Sequence, residues 1–195
     1  MEKIHRLYNI ANTITICRII AIPFPILLLC YSPKYPDFKK VAIALLILMQ
    51  LSDIIDGLVA RAASKKCSEK NYVGIALDPL ADKLYINSTY ITITCVYNFP
   101  FWVTFIIVFR DILLVALWLL GAIIVGIKDM GANILGKITG TCQAFLIFIF
   151  LLEFPWGIIC WGWRITIFFT VISGIVYISQ GFQRAIKTMT KSFKI

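Results

Sequence analysis

Charge is what this sequence has least of. Only 15% of its 195 residues are charged, where a soluble domain carries roughly a quarter. Four stretches, 84–109, 112–127, 138–152 and 165–183, carry none at all. Runs of that length exclude an ordinary water-soluble globule. Histidine is almost missing, with His5 alone near the start of the sequence. The six cysteines (17, 30, 67, 95, 142 and 160) form no CxxC pair. Five lie in apolar segments, where free thiols pack as small hydrophobes, so a zinc or disulfide framework is excluded. No internal repeat and no low-complexity segment interrupts the chain, and one domain over residues 1–195 accounts for it.

What is abundant is apolar sequence, at 60% of residues. A spanning helix needs about 20 mostly apolar residues, and in lipid only helices or closed barrels satisfy the backbone. These runs are too long and continuous for barrel strands. The fold class is all-α, an integral membrane bundle of six transmembrane helices, expected near 13–31, 40–62, 76–97, 101–127, 134–152 and 162–182. The breaks are marked by Ser32-Pro33-Lys34-Tyr35-Pro36, Ser64–Asn71, Asn98-Phe99-Pro100, Lys128–Asn133 and Glu153-Phe154-Pro155. The polar start, with Glu2, Lys3, His5 and Arg6, is followed by no small-residue cleavage site, so the first span is expected to stay.

Cation placement predicts orientation. Twelve of the nineteen Lys and Arg fall at the termini, in the even-numbered connections or at the start of the fifth span, four fall on the opposite side, and Arg18, Lys83 and Arg110 lie within spans. Both termini are therefore expected in the cytoplasm, with the protein multi-pass in the cell membrane. The net charge of +9 suits an anionic membrane surface. Because the cations sit in loops and not on a soluble module, no nucleic-acid partner is expected.

The ten acidic residues are spent unevenly. Asp53, Asp56, Gly57 and Ala60 stand at i, i+3, i+4 and i+7, one stripe of a helix. Gly74, Asp78 and Asp82 stand at i, i+4 and i+8 on the next. A short connection makes the two helices antiparallel neighbours, so the stripes can face each other and bring four carboxylates around one point. One aspartate at a helix end is usually a cap or a surface charge. Four at helical spacing with small residues between them need a strong counter-charge, because intramembrane carboxylates are costly. Oxygen donors without His or Cys select a hard divalent cation, Mg²⁺, Mn²⁺ or Ca²⁺, over zinc. Arg18, Lys83 and Lys137 are expected in the same cytoplasmic half, with Arg110-Asp111 nearer mid-span. Five helices would line this polar cavity, and the uncharged sixth would pack outside it. A cation transporter could also use such carboxylates, but the cluster lies off the midplane and no inverted repeat is visible.

At these residues the chain resembles the CDP-alcohol phosphotransferase family, whose signature DxxDGxxAR, a spacer and GxxxDxxxD are complete here. The resemblance implies six transmembrane helices, usually as a homodimer, with Asp53, Asp56 and Asp78 holding a divalent metal (Mg²⁺ or Mn²⁺) and Asp82, beside them, acting as general base. It implies contact of Gly57, Ala60, Arg61 and Gly74 with the CDP moiety. The stretch from Asn9 to Arg18 with Pro23, the segment Leu77–Lys83, Gly136-Lys137 and Ser173–Tyr177 are similar to the phosphatidylglycerophosphate synthase branch. Three departures stand out. The spacer from Arg61 to Gly74 is longer than usual, as a harmless cytoplasmic insertion would be; Arg110-Asp111 looks more like the cardiolipin synthase branch; and Thr139 replaces a common lysine.

The expected reaction is transfer of the phosphatidyl group of CDP-diacylglycerol to glycerol 3-phosphate with release of CMP. The metal would draw charge from the diphosphate while Asp82 activates the attacking hydroxyl. Arg18, Arg110 and Lys137 would receive the acceptor phosphate, since a dianion in a low-dielectric cavity needs paired positive charge. Phosphatidylglycerol, giving cardiolipin, is the alternative acceptor.

Overall fold

The computed structural model describes residues 17, 19–64, 72–125 and 134–192, with side chains at 17, 19–52, 83–117, 134–181 and 183. Six helices account for nearly all of them: α1 Pro23–Tyr31, α2 Pro36–Ser64, α3 Tyr72–Tyr97, α4 Phe101–Val125, α5 Ile134–Leu151 and α6 Trp156–Ser192. No strand occurs among the described residues. The all-α reading holds, and the helices fall on the expected segments. The first is described as a helix from Pro23, with helical residues at 17 and 19–21 before it, against an expected 13–31, and the last starts at Trp156 and ends at Ser192 against an expected 162–182. Pro155 opens it, and its final turns continue through Arg184, Lys187 and Lys191. An apolar run marks where hydrophobicity stops, not where the helix does.

Two of the breaks share one construction. α5 ends with Glu153 in the left-handed region at φ 57°. The Glu153 N–H donates to the Phe150 carbonyl at 3.1 Å and the Phe154 N–H to the Ile149 carbonyl at 3.2 Å, the paired bonds of a Schellman stop. Pro155 follows and cannot continue the helix. Asn98, at φ 55°, ends α3 in the same conformation and is again followed by Phe and Pro. Asparagine tolerates that region better than most residues.

Contacts divide the chain into two compact units, Met1–Phe99 and Pro100–Ile195. In the first, α1 packs on both α2 and α3. The buried face of α2 passes through Ala42 and Leu46, and that of α3 through Tyr85, Ile86, Thr89, Tyr90 and Ile93. The Tyr85 hydroxyl donates to the Leu46 carbonyl at 3.1 Å, a buried bond between α3 and α2. Ser32 and Tyr97 join their hydroxyls where α1 ends. Ser88, Thr89, Thr92 and Thr94 turn their hydroxyls onto carbonyls one turn back on the same helix. Polar side chains satisfied this way can sit in an apolar setting.

In the second unit, α6 is the central element, packed along both α4 and α5. The polar cavity outside which the sixth helix was expected to pack draws on side chains outside the described residues; within its own unit the helix packs between α4 and α5. Charge counting overlooked its inner stripe, which is uncharged but small and polar: Gly162, Thr166, Thr170 and Ser173. Such residues let helix backbones approach closely. A Cβ on Gly162 would sit 3.1 Å from the Leu146 side chain. Thr166 bonds the Cys142 carbonyl at 3.4 Å, Thr139 bonds the Phe169 carbonyl at 3.1 Å, and Trp102 meets Trp163 edge-on at 4.8 Å.

The outer faces are as apolar as the inner ones. Along α4, Phe101, Phe105, Phe109 and Ile112 all stand exposed at one-turn intervals, and their first three rings stack at 6.2 and 5.8 Å. Two described segments, Ile134–Leu151 and Trp156–Gly181, are long and apolar enough to cross a membrane.

The Tyr85 bond sets how α3 lies on α2, so Tyr85→Phe should lower the thermal midpoint in detergent by about 2–4 °C, corresponding to roughly 1 kcal/mol for one buried hydrogen bond. An unchanged midpoint would show that apolar packing alone fixes that register.

Candidate functional site

The expected site residues divide between backbone that is described and side chains that are not. Asp53, Asp56, Gly57, Ala60 and Arg61 belong to α2, and Gly74, Asp78 and Asp82 to α3. The helical spacing that made two stripes is therefore real along the backbone. Their side chains, and Arg18 altogether, lie outside the described residues. So do the residues of the Arg61–Gly74 spacer between 65 and 71. Among the described residues no group of three His, Cys, Asp or Glu side chains comes together.

The stripes have a definite relation to the described half of each helix. On α2 the buried positions Ala42 and Leu46 lead, at steps of three and four, through Gln50 to Asp53, Gly57 and Ala60. On α3 the buried Tyr90 and Ile86 lead back at steps of four to Asp82, Asp78 and Gly74. Each aspartate stripe is thus the continuation of a buried face. The Tyr85–Leu46 bond also makes α2 and α3 antiparallel. A parallel pair joined there would ask the seven residues 65–71 to span roughly 45 Å, when they reach about 25 Å.

Arg110 and Asp111 are described in full. Arg110 is 7% exposed and Asp111 1%. They belong to the inner stripe of α4 with Val103, Thr104 and Ile107, which places a charged pair among buried apolar residues. The Arg110 Nη1–H donates to Asp111 Oδ1 at 2.6 Å, and Nη2–H donates to Ser173 Oγ on α6. The guanidinium lies 5.8 Å from the centre of the Tyr177 ring. The buried Nε–H has no hydrogen-bond partner among the described residues. The pair is neutral as a whole, which makes its burial tolerable.

Tyr177 in turn reaches α5. A Cβ on Gly136 would lie 2.6 Å from the Tyr177 hydroxyl oxygen and 3.1 Å from its ring, so only glycine admits the phenol at that point. Lys137, the next residue, is exposed. Of the three acceptor cations expected from sequence, two thus lie in one unit, with Tyr177 against Arg110 on one side and against Lys137's neighbour on the other. Thr139 is buried, its hydroxyl spent on the Leu135 and Phe169 carbonyls; here it is a helix-packing residue. Sequence reasoning assigned no role to Ser173 or Tyr177. Their one signal was the similarity of the Ser173–Tyr177 segment to the phosphatidylglycerophosphate synthase branch, and neither carries charge.

A model of the CDP-alcohol phosphatidyltransferase family matches residues 8–176. The chain is 29% identical over 199 aligned residues to the CDP-diacylglycerol–glycerol-3-phosphate 3-phosphatidyltransferase of Bacillus subtilis, covering 93% of this chain and 99% of that protein. It is 36% identical to the CMP-forming cardiolipin synthase of Rattus norvegicus, but over 56% of this chain and 33% of that one. A probable phosphatidylglycerophosphate synthase of Mycobacterium tuberculosis matches at 32% over 55% of this chain and 50% of its own length.

The burial of the Arg110–Asp111 pair has a measurable consequence. Asp111→Ala strands a buried guanidinium and should cost about 3–5 kcal/mol, whereas the double substitution R110M/D111L should stay within about 1–2 kcal/mol of the wild type. Thermal unfolding in detergent compares the two; equal losses would mean that the pair is not held in an apolar setting.

Proposed function

The chain belongs to the CDP-alcohol phosphatidyltransferase family, and from that membership we propose that it is a multi-pass membrane enzyme. Its reaction moves the phosphatidyl group of CDP-diacylglycerol onto glycerol 3-phosphate. The observation that carries the acceptor choice is the match along nearly the whole of the Bacillus subtilis relative, where the rat cardiolipin synthase aligns over a third of its length. Exposed aromatic and aliphatic faces on α4 and α6 support six spans in the lipid of the cell membrane. Both termini and the aspartate half of α2 and α3 then face the cytoplasm, by the bias of Lys and Arg. The family resemblance also leads us to expect a homodimer.

The helix register supports a shared site on α2 and α3. Counting from the Tyr85–Leu46 bond, seven residues toward the α2–α3 connection reach Asp53 on one helix and Asp78 on the other. At about 1.5 Å per residue both stand roughly 10 Å along from the bond, at one level. Asp56 follows a turn beyond Asp53, and Asp82 precedes that level by a turn. A donor set made only of carboxylate oxygens fits Mg²⁺ or Mn²⁺. Asp53, Asp56 and Asp78 would hold the ion, with Asp82 beside them; when bound, it neutralises diphosphate charge.

The chain's own residues do the rest. Gly57, Ala60 and Gly74 leave room for the CDP moiety against the backbone, and Arg61 meets its phosphate. Asp82 takes the proton of the acceptor hydroxyl as that oxygen bonds to the phosphatidyl phosphorus. The phosphorus–oxygen bond to CMP breaks, and CMP leaves with the electron pair. Arg18, Arg110 and Lys137 serve the acceptor phosphate. The second reading, phosphatidylglycerol as acceptor, is favoured by Arg110-Asp111: a pair already neutral in itself suits a phosphodiester monoanion better than a dianion.

An acceptor panel with CDP-diacylglycerol and Mg²⁺ tests the assignment, and CMP release with glycerol 3-phosphate is expected. Cardiolipin formed from phosphatidylglycerol, with no turnover of glycerol 3-phosphate, would replace the acceptor and keep the reaction class. Asp53→Asn, Asp56→Asn and Asp78→Asn should each abolish turnover in protein that still folds. Asp82→Asn should lower kcat by about 10²–10⁴-fold with CDP-lipid binding retained; an equal loss of binding would make it a metal ligand.

Salt separates the two described cations. Lys137→Ala and Arg110→Ala should each raise the acceptor KM about tenfold at low ionic strength. The Lys137 penalty should shrink by about 0.5 M salt, because an exposed charge is screened, while the buried Arg110 penalty persists. Identical salt responses would count against these separate roles.

A further inference from the structure

On α5 and α6 four hydroxyl residues lie buried, Thr139, Thr166, Thr170 and Ser173, and one behaves differently. Thr139, Thr166 and Thr170 each bond the carbonyl one turn back on their own helix. Ser173, also fully buried, instead accepts a hydrogen bond from Arg110 Nη2. The carbonyl one turn before it, that of Phe169, receives the Thr139 hydroxyl. Among the described residues Ser173 is bonded only as an acceptor, so its own O–H hydrogen is left to donate. Beside it stands Arg110 Nε–H, buried and without a partner among the described residues. Two donors left over on adjacent buried groups are costly in an apolar setting unless an acceptor arrives.

The rest of the cluster explains how such a pair keeps its direction. Asp111 Oδ1 holds Nη1, and the Tyr177 ring covers the guanidinium. Tyr177 is itself seated against Gly136 of α5. Arg110 is thus held from α4 and α6, through a ring whose position depends on α5. Because Asp111 cancels its charge, what it offers a ligand is directed hydrogen bonding more than net charge.

We propose that Arg110 Nε–H and Ser173 O–H form an oxyanion seat for one phosphoryl oxygen of the acceptor, with Tyr177 and Gly136 as positioning residues that lock the guanidinium. This rests on the reading that Arg110 serves the acceptor. Both candidate acceptors carry a phosphate, so the seat is the same for each, and the substrate found in the panel assay serves as the probe.

The test is a set of kinetic cycles on the full-length protein in detergent. Ser173→Ala and Tyr177→Leu should each raise the acceptor KM about fivefold to tenfold, as for loss of one hydrogen bond to a charged group, with the CDP-diacylglycerol KM within about twofold. Tyr177→Phe keeps the ring and should be milder than Tyr177→Leu. In an Arg110→Ala background neither Ser173→Ala nor Tyr177→Leu should raise KM further. Gly136→Ala should mimic Tyr177→Leu by pushing the phenol away, and adding Tyr177→Phe should restore much of the loss, since it removes the atom 2.6 Å from the new methyl group. Equal rises in both substrates' KM, or additive effects in the Arg110→Ala background, would reduce Ser173 and Tyr177 to packing and overturn the seat. If Arg110→Ala raises the acceptor KM while Ser173→Ala and Tyr177→Leu leave it alone, the seat fails and the acceptor role of Arg110 stands. If Arg110→Ala itself is silent, both fail.

Discussion

A polar group inside an apolar helix pack must find its partner on its own helix or on the next one, and this constraint organises the molecule. A partner on the same helix leaves the fold unaffected. Ser88, Thr89, Thr92 and Thr94 each take that route, which lets α3 carry four hydroxyls within two turns. A partner on another helix fixes register. Tyr85 does this for α3 on α2, and Thr139, Thr166 and Arg110 do it for α5 and α4 on α6. Hydrophobic packing is non-directional. These few bonds decide which turn of one helix meets which turn of another.

The same constraint separates the cations the chemistry would use. Lys137 is exposed, so its charge acts through solvent and attracts an anion over some distance. Arg110 is paired with Asp111 at 2.6 Å and contributes little net field, but its fork is held by three neighbours and can only present its donors one way. Capture and orientation of a phosphate are different tasks. A mobile surface ammonium suits the first, and a locked guanidinium suits the second.

Much of this was legible in the sequence, for identifiable reasons. Helix positions followed from uncharged runs, and the breaks at Asn98-Phe99-Pro100 and Glu153-Phe154-Pro155 were visible because proline stops a helix. That both use a left-handed residue was not visible for Glu153, since glutamate has no preference for that region. The aspartate stripes were read from spacing alone, and the helical backbone of α2 and α3 agrees with that spacing. The inner stripe of α6 was not legible because charge was the only marker used, and that stripe is made of glycine, threonine and serine. Ser173 and Tyr177 stood out only as part of a segment that resembles the phosphatidylglycerophosphate synthase branch, with no role attached. Their importance lies in whom they touch, and no periodicity within one helix encodes a contact on another.

Helix register also accounts for the long spacer between Arg61 and Gly74. A residue added within α2 between Leu46 and Asp53 would turn everything beyond it by about 100° and carry the aspartate stripe off the buried face. The same would follow on α3 between Asp82 and Tyr85. Residues added between the helices rotate neither stripe, because the relation of α2 to α3 is set at Leu46 and Tyr85, on the far side of the aspartates from the connection. Spacer length is therefore free to vary where the internal spacings of the two halves are not. A signature with rigid halves and an elastic middle is what this geometry requires.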